Sequence, residues 1–295
     1  MLPELSVWLD AKRPLASQPA TAEFRDSTQS ILGDLRPEEV DVLLENKNAV
    51  IYGAGGSIGG AVARAFAREG ARVFLAGRTP ATLEAVAGQI RSAGGAVETA
   101  EVDALDENAV DEHAAAVAAD AGGIDISFNL ISHPYTHGTP LAEMAVDDFM
   151  APVETAARTT FLTARAAARH MIPRRSGVIL AFGGPGDRSG PMRDYYLGGT
   201  QVAFDAIETI RRQLAAELGP HGIRVVTLAS GGVPDSLPEG FEGREKIVEQ
   251  IEGQTLLGRA ATLEDIGNAA VFAASDWARS MTAAIVNVSC GALVD

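Results

Sequence analysis

A glycine-rich turn near residue 53 separates a short apolar run from an alanine-rich helical pattern, and this junction restricts the fold more than any other stretch of the sequence. The apolar run covers residues 49–52, and the turn after it reads Gly53-Ala54-Gly55-Gly56-Ser57-Ile58-Gly59. Glycine permits a tight reversal at a strand end and lets main-chain N–H groups approach an anion closely. The N–H groups at the start of the following helix, at Ser57 and Ile58, have no partners within the helix and face the same anion. The junction therefore predicts a strand–turn–helix unit that holds the pyrophosphate of a dinucleotide, and the alternative is a flexible glycine loop.

Strand-like and helix-like segments alternate along the rest of the chain. The strand-like segments are residues 48–52, 71–76, 96–102, 124–130, 177–182, 223–229 and 284–288. The helical patterns are residues 57–69, 80–93, 106–120, 147–172, 195–218 and 262–275. Several of the strands are continuously apolar, as is typical when helices cover both faces of a parallel sheet. The alternation predicts an α/β fold with a Rossmann-type doubly wound parallel sheet of about seven strands, and ligands bind such sheets beyond the carboxyl ends of the strands.

The first 46 residues differ in character from the remainder. Prolines at positions 3, 14, 19 and 37 interrupt them, and their apolar residues form only a short cluster around Trp8. We expect an N-terminal arm over residues 1–46, with short helices that pack on the main domain or on a neighbouring subunit, and the alternative is a disordered arm. The Rossmann-type domain is then expected over residues 47–295.

Composition excludes several classes of function. The formal net charge of −15 argues against a nucleic-acid partner or an anionic membrane surface. The single cysteine, Cys290, rules out an internal disulfide framework and is typical of a reducing cytoplasm. The sequence has no apolar stretch of about 18 residues and no signal-peptide pattern, so we expect a cytoplasmic protein with a small-molecule substrate.

The motifs taken together resemble the short-chain dehydrogenase/reductase family over roughly residues 47–295. The glycine spacing Gly53-x-x-Gly56-x-x-Gly59 is similar to the family's extended-type pattern. Asn129 stands at the first asparagine of the family's strand signature, although Ser132 replaces the glycine that ends it. Ser230-Gly231-Gly232-Val233 and the closing segment 284–291 also occupy positions of family motifs. The resemblance implies that Asn129, Gly231 and Val233 belong to the cofactor site.

Two further residues bear on the identity of the cofactor. Arg78 follows the second predicted strand, where relatives that prefer NAD carry an acid, and its guanidinium suits a 2′-phosphate. This favours NADP(H) over NAD(H), and the alternative is a solvated surface arginine. The resemblance implies that Asp103 accepts a hydrogen bond from the adenine amino group, and the alternative is a turn or cap residue.

Most of the family's catalytic set is absent. The resemblance places Tyr196 at the catalytic tyrosine, whereas Gly184, Thr200 and Ala156 stand at the serine, lysine and asparagine positions. Without a neighbouring ammonium group, Tyr196 is expected to stay protonated near neutral pH, so that it can donate a proton during reduction but is a poor base for oxidation.

Other groups near these positions have more than one interpretation. His133 and His137 lie in a loop, where they are an alternative proton donor, a metal pair or solvated side chains, and their spacing disfavours a metal site. Arg188, Arg193 and Asp194 either orient an acidic substrate or form a surface ion pair. Residues 234–243 have the glycine and proline pattern of a mobile lid.

The leading hypothesis is an NADP(H)-dependent oxidoreductase that reduces a small carbonyl-like substrate in a non-standard active site. The alternatives are a catalytically silent nucleotide-binding or assembly protein, and a non-redox lyase or isomerase. In relatives the helices that correspond to residues 151–172 and 200–218 form a dimer interface, so the resemblance implies a homodimer or homotetramer.

Overall fold

Seven parallel strands form one sheet in the part of the chain that the computed structural model describes, which is residues 42–134, 138–183, 197–238, 240–241 and 243–294. The strands are β1 (Asn48–Tyr52), β2 (Arg72–Gly77), β3 (Val97–Glu101), β4 (Ile126–Asn129), β5 (Gly177–Gly183), β6 (Ile223–Ala229) and β7 (Ala284–Asn287). Their order in the sheet is β3-β2-β1-β4-β5-β6-β7, and every neighbouring pair is parallel. The predicted doubly wound sheet is therefore confirmed.

Seven α-helices lie within the same described ranges, and six of them pack on the two faces of the sheet. The seven are α1 (Ser57–Arg68), α2 (Pro80–Ser92), α3 (Glu107–Ala121), α4 (Val146–Met171), α5 (Thr200–Leu218), α6 (Arg244–Gly253) and α7 (Leu263–Ala274). Helix α6 was not predicted from the sequence, and its apolar residues Ile247, Val248 and Ile251 are only partly buried. No helix in the described residues combines the length and hydrophobicity that crossing a bilayer requires.

The core divides into two layers, one on each face of the sheet. Alternate residues of β1 show the division, since Ala49 and Ile51 belong to the cluster beneath α1 and α7, whereas Val50 and Tyr52 belong to the cluster beneath α3 and α4. Side chains alternate between the two faces of a strand, so a strand that is buried on both sides must be apolar throughout. Full burial of each large side chain contributes about 1.5–3 kcal/mol, which accounts for the nearly uninterrupted apolar strands.

The strand order reverses between β1 and β4, and this reversal opens the cleft in which the site lies. In the register of the sheet, Tyr52 pairs with Ala76 of β2 on one side and with Asn129 of β4 on the other. The carboxyl ends of these three strands are therefore level, and the loops that follow them diverge to opposite sides of the sheet. Such a switch point is where ligands bind in open α/β sheets.

Candidate functional site

The turn after β1 can be built only with glycine at its first position. Gly53 has a φ of +80°, and its N–H donates a hydrogen bond to the carbonyl oxygen of Ala76 at 2.9 Å. A Cβ at this position would overlap the carbonyl oxygen of Leu130 and lie 2.7 Å from the Leu130 carbonyl carbon. The missing side chain thus lets β1, β2 and the end of β4 approach one another.

Gly55 and Gly59 lack room for a side chain for a different reason, which is close packing of the helices. A Cβ at Gly59 would lie 2.8 Å from the Cα of Ala54, so glycine here lets α1 pack directly on the turn. A Cβ at Gly55 would lie 3.0 Å from the Cβ of Thr82, so glycine here lets the start of α2 approach the same turn. Two helix N-termini therefore converge beside one glycine loop, where their N–H groups favour bound anions.

Gly56 differs from its neighbours because the protein itself leaves room for a side chain there. Its φ is −81°, and the nearest atom to an added Cβ is the carbonyl oxygen of Gly53 at 3.5 Å. Gly56 also lines both of the cavities described below. Its missing Cβ therefore leaves space for a ligand rather than for another part of the chain.

Cavity A, with a volume of about 600 Å³, lies on the β2 and β3 side of the switch point. Arg78 lines it directly after β2, and Thr79 occupies the N-cap position of α2 beside it. Among the described residues, no carboxylate pairs with Arg78, and its side chain is exposed. Asp103 lines the same cavity, and its Oδ1 accepts a hydrogen bond from the N–H of Leu105 at 3.0 Å. Asp103 is thus both a turn residue and a wall of the cavity.

Cavity B, with a volume of about 410 Å³, lies on the β5 and β6 side. Phe182 and Phe204 line it together with Val233 and Ser236, and the first three residues of α1 form its other wall. The two cavities share six residues, which are Gly53, Gly56, Leu130, Ile131, Ser132 and His133. They are therefore two halves of one cleft that crosses the switch point.

His133 stands where the two halves meet. It is buried, and its ring packs edge-to-face against Phe204 with a centroid distance of 5.4 Å and an interplanar angle of 76°. Burial lowers the pKa of His133 below its ordinary value, and a hydrogen bond with the Ile131 main chain opposes this effect. Among the described residues that line cavity B, His133 is the one titratable side chain. The imidazole is therefore uncharged near neutral pH.

The structure brings most of the predicted cofactor residues to this cleft. Those that line it are Gly53, Gly55, Gly56, Ser57, Ile58, Gly59, Arg78, Asp103 and Val233. Gly231 packs against Ala292 and lines neither cavity.

Asn129 also lies outside the lining of both cavities, and its side chain joins the end of β4 to α4. Its Nδ2 donates to Thr159 Oγ1 at 3.1 Å and to Thr160 Oγ1 at 3.3 Å. Its Oδ1 accepts from the N–H of Ile131 at 3.0 Å. Asn129 thus fixes the strand end from which the shared wall of the cleft begins.

The predicted catalytic positions are divided between described and undescribed parts of the chain. Tyr196 and Gly184 lie outside the described residues, as do His137, Arg188, Arg193 and Asp194. Ala156 is buried within α4, and Thr200, the first residue of α5, is 2% exposed. The Oγ1 of Thr200 is covered and has no hydrogen-bond partner within the described ranges.

Sequence reasoning missed several residues of the cleft. Thr79 had a detectable signal, because a threonine directly before Pro80 is a common start of a helix. Thr82 then lies in the first turn of that helix. Phe182 and Phe204 had no such signal, since an aromatic residue within an apolar run reads as core from periodicity alone.

A doubly wound sheet with a glycine loop at its switch point defines the Rossmann class of proteins. A family model described as enoyl-(acyl carrier protein) reductase matches residues 53–292. Gluconate 5-dehydrogenase of Gluconobacter oxydans is 29% identical over 233 residues, which cover 79% of this chain and 89% of that protein. The short-chain reductase protein NovJ of Streptomyces niveus is 30% identical over 248 residues, which cover 82% of this chain and 92% of that protein.

Solved structures agree with these relatives. The crystal structure of a short-chain type dehydrogenase/reductase from Mycobacterium marinum superposes with a TM-score of 0.77 at 26% identity, covering 86% of this chain and 98% of that one. The chain belongs to the short-chain dehydrogenase/reductase family and is an NAD(P)-dependent oxidoreductase.

Proposed function

We propose that this protein is an NADP(H)-dependent reductase of a small carbonyl compound. The observation that carries the proposal is the position of Arg78 in cavity A, beside the start of α2 and next to the glycine loop. A guanidinium with no carboxylate partner among the described residues, next to a helix N-terminus, favours a second anionic group there. The 2′-phosphate of NADP(H) is such a group, and NAD(H) lacks it.

The residues of the cleft fit a dinucleotide along its whole length. The main chain of Gly55, Gly56 and Ser57 would hold the pyrophosphate, because the absent side chain at Gly56 leaves the loop open to both cavities. Arg78 would hold the 2′-phosphate and Asp103 the adenine, both in cavity A. The nicotinamide end would then lie in cavity B beside Val233.

The remaining chemistry is a proton transfer by the protein. NADPH, when bound, supplies a hydride to the carbonyl carbon. We assign proton donation to the carbonyl oxygen to the phenol of Tyr196. Thr200 supplies no ammonium group to acidify that phenol, and its hydroxyl is covered. A phenol with no ammonium group beside it is a better acid than base near neutral pH, so we propose reduction as the favoured direction.

The cofactor assignment is tested by Arg78→Ala, with Arg91→Ala as the matched control. Arg91 lies on the same helix as Thr82 but pairs with Glu84 at 2.9 Å and lines neither cavity. Loss of a charge-assisted contact with a phosphate weakens binding by about 1.5–3 kcal/mol, or roughly 10- to 100-fold. In fluorescence titrations, we expect the Kd of NADPH to rise by that factor in Arg78→Ala while the Kd of NADH stays within about twofold. Equal losses for both nucleotides would contradict a 2′-phosphate contact.

The proton-donor assignment is tested separately by Tyr196→Phe. We expect carbonyl reduction to fall by about 10²–10⁴-fold while the Kd of NADPH is unchanged, because the phenol acts on the substrate oxygen. Unchanged turnover would remove Tyr196 from the mechanism. Nucleotide binding without hydride transfer to any carbonyl compound would instead favour the silent binding protein.

We further propose that the protein assembles as a homodimer or homotetramer through α4 and α5. Both helices expose large apolar side chains, with Phe161 48% exposed on α4 and Val202 43% exposed on α5. Light scattering on the wild type and on Phe161→Glu tests this, because a charge in an apolar interface favours the monomer. The N-terminal arm over residues 1–46 stays a prediction, and residues 1–41 lie outside the described part of the chain.

A further inference from the structure

Cavity B has an aromatic wall whose position is fixed by its neighbours. Phe204 lies on α5 and packs on the end of β5, where a Cβ at Gly183 would lie 3.4 Å from the Phe204 ring. On another side, the ring of His133 meets Phe204 edge-to-face at 5.4 Å. Glycine at position 183 and the buried imidazole together hold the phenyl ring at the cavity surface. A ring held in this way offers a planar partner to a second aromatic ring.

The described lining of cavity B carries no charged side chain, which bears on the kind of substrate that it can hold. Among the described residues that line cavity B there is no lysine, arginine, aspartate or glutamate, and His133 is uncharged near neutral pH. The hydroxyl of Ser236 already donates a hydrogen bond to the carbonyl oxygen of Val233 at 2.7 Å. A substrate carboxylate would therefore gain no cation from the described lining of cavity B, and only hydroxyls and main-chain N–H groups would replace its hydration there.

The first turn of α5 also presents no charged side chain from Thr200 or Phe204 to cavity B. Phe204 lies one helical turn after Thr200, on the same face of α5. The family resemblance implies an ammonium group at position 200, whereas here a buried threonine stands there and the cavity receives the phenyl ring of Phe204. Among the described residues, α5 thus contributes the Phe204 ring and no charged side chain to the lining of cavity B.

We propose that the part of cavity B beside Phe204 takes an uncharged aromatic carbonyl compound whose ring lies against Phe204, next to the nicotinamide end assigned beside Val233, and that Phe204 determines this preference. The proposal rests on the proposed reductase function for its chemistry, but the ligand class is measurable without turnover.

The test compares benzaldehyde with two probes that each change one property and with a fourth probe that is a polyhydroxylated keto acid. Benzaldehyde is the neutral aromatic probe, cyclohexanecarbaldehyde removes the aromatic ring, 4-carboxybenzaldehyde adds a carboxylate, and 5-keto-D-gluconate is a polyhydroxylated acid. Affinities are measured by NMR titration of the full chain with and without NADP⁺, and reduction is followed by NADPH oxidation. The variant is Phe204→Leu, with Phe204→Tyr as the conservative replacement. The matched control is Phe161→Leu, because Phe161 lines neither cavity.

We expect wild type to bind benzaldehyde about three- to tenfold more tightly than cyclohexanecarbaldehyde, which is the range for an aromatic pair. Both acids should bind at least about tenfold more weakly than benzaldehyde. Phe204→Leu should abolish the aromatic preference, whereas Phe204→Tyr and Phe161→Leu should retain it.

The outcomes separate the two proposals. If benzaldehyde binds with this dependence on Phe204 but is not reduced, the ligand class stands and the reductase function fails. If either acid binds as tightly as benzaldehyde, or if the aromatic preference survives in Phe204→Leu, the ligand class is overturned even when NADPH is oxidised.

Discussion

The glycine loop offers two neighbouring substitutions, Gly56→Ala and Gly59→Ala, that separate folding from nucleotide binding. In Gly59→Ala, the new Cβ would overlap the carbonyl oxygen of Gly53 and lie 2.8 Å from the Cα of Ala54. Both neighbours are main-chain atoms, so no side-chain rotation relieves the overlap.

The cost of Gly59→Ala follows from two opposing effects. Overpacking costs about 1–3 kcal/mol, and the absence of a movable side chain argues for the upper value. Alanine is favoured over glycine in a helix by about 1 kcal/mol, which leaves a net loss of about 2 kcal/mol. For a domain of this size each kcal/mol lowers the Tm by about 2–4 °C, so we expect a fall of about 4–8 °C.

Gly56→Ala should behave in the opposite way. Its φ of −81° suits alanine, and the nearest contact of the new Cβ is 3.5 Å. A poorer helix cap costs up to about 1 kcal/mol and a less flexible unfolded chain returns about 0.4–1 kcal/mol, so the Tm should stay within about 2 °C. The methyl group nevertheless occupies the point at which both cavities meet, and we expect the Kd of NADPH to rise at least about tenfold.

The assay is thermal unfolding followed by circular dichroism, with a fluorescence titration of NADPH on each variant. A Gly59→Ala protein that melts with the wild type would refute the packing argument. A stable Gly56→Ala protein with wild-type affinity for NADPH would show that the pyrophosphate does not contact this loop.

Three further predictions concern buried polar groups. Thr200→Val should raise the free energy of unfolding in urea by about 1 kcal/mol and leave the Kd of NADPH unchanged, because the Thr200 hydroxyl is buried with no partner among the residues that the structure describes. Weaker binding of NADPH by this variant would instead place the hydroxyl at the cofactor. Arg211→Leu should lower the free energy of unfolding by about 3–5 kcal/mol, because it leaves the Glu208 carboxylate, which lies 2.8 Å from Arg211 in the wild type, buried without a counter-charge. The double variant with Glu208→Leu should recover most of that stability. Equal losses of stability in the single and double variants would contradict a buried ion pair. Burial lowers the pKa of both His113 and His133, so the unfolded chain binds more protons than the folded chain below about pH 6.5. The free energy of unfolding therefore falls as the pH falls through that value, by up to about 1.4 kcal/mol per pH unit for each histidine. In urea unfolding across this range, His133→Phe should show a weaker dependence of this free energy on pH, and an unchanged dependence would show that His133 does not contribute to it.

The part of the site that main-chain geometry dictates was predictable from the sequence. Gly53 and Gly59 are required by a positive φ and by close packing, and both constraints leave a visible pattern of glycines between a strand and a helix. The strands were predictable for a similar reason, because burial on both faces leaves continuous apolar runs.

The remainder depends on which side chains face the cleft, and a linear pattern does not contain that information. Phe204 is a cleft residue that the sequence did not indicate, and Asn129 is a predicted cofactor residue that lies outside the cleft. Phe204 reads as core but lines cavity B, whereas Asn129 matches a cofactor motif but bonds to α4. Helix α6 was missed, and its apolar residues are only partly buried.

Helix α4 connects features that lie far apart in the cleft. Thr155 and Thr159 line cavity A, and Thr159 also holds the Asn129 side chain at the end of β4. Near the start of the helix, the carbonyl oxygen of Phe149 approaches Gly199 so closely that a Cβ there would overlap it, and α5 begins at the next residue. Helix α4 therefore contacts both the strand end that bounds the cleft and the residue directly before the helix that carries Phe204. We expect a substitution that displaces α4 to disturb both cavities at once.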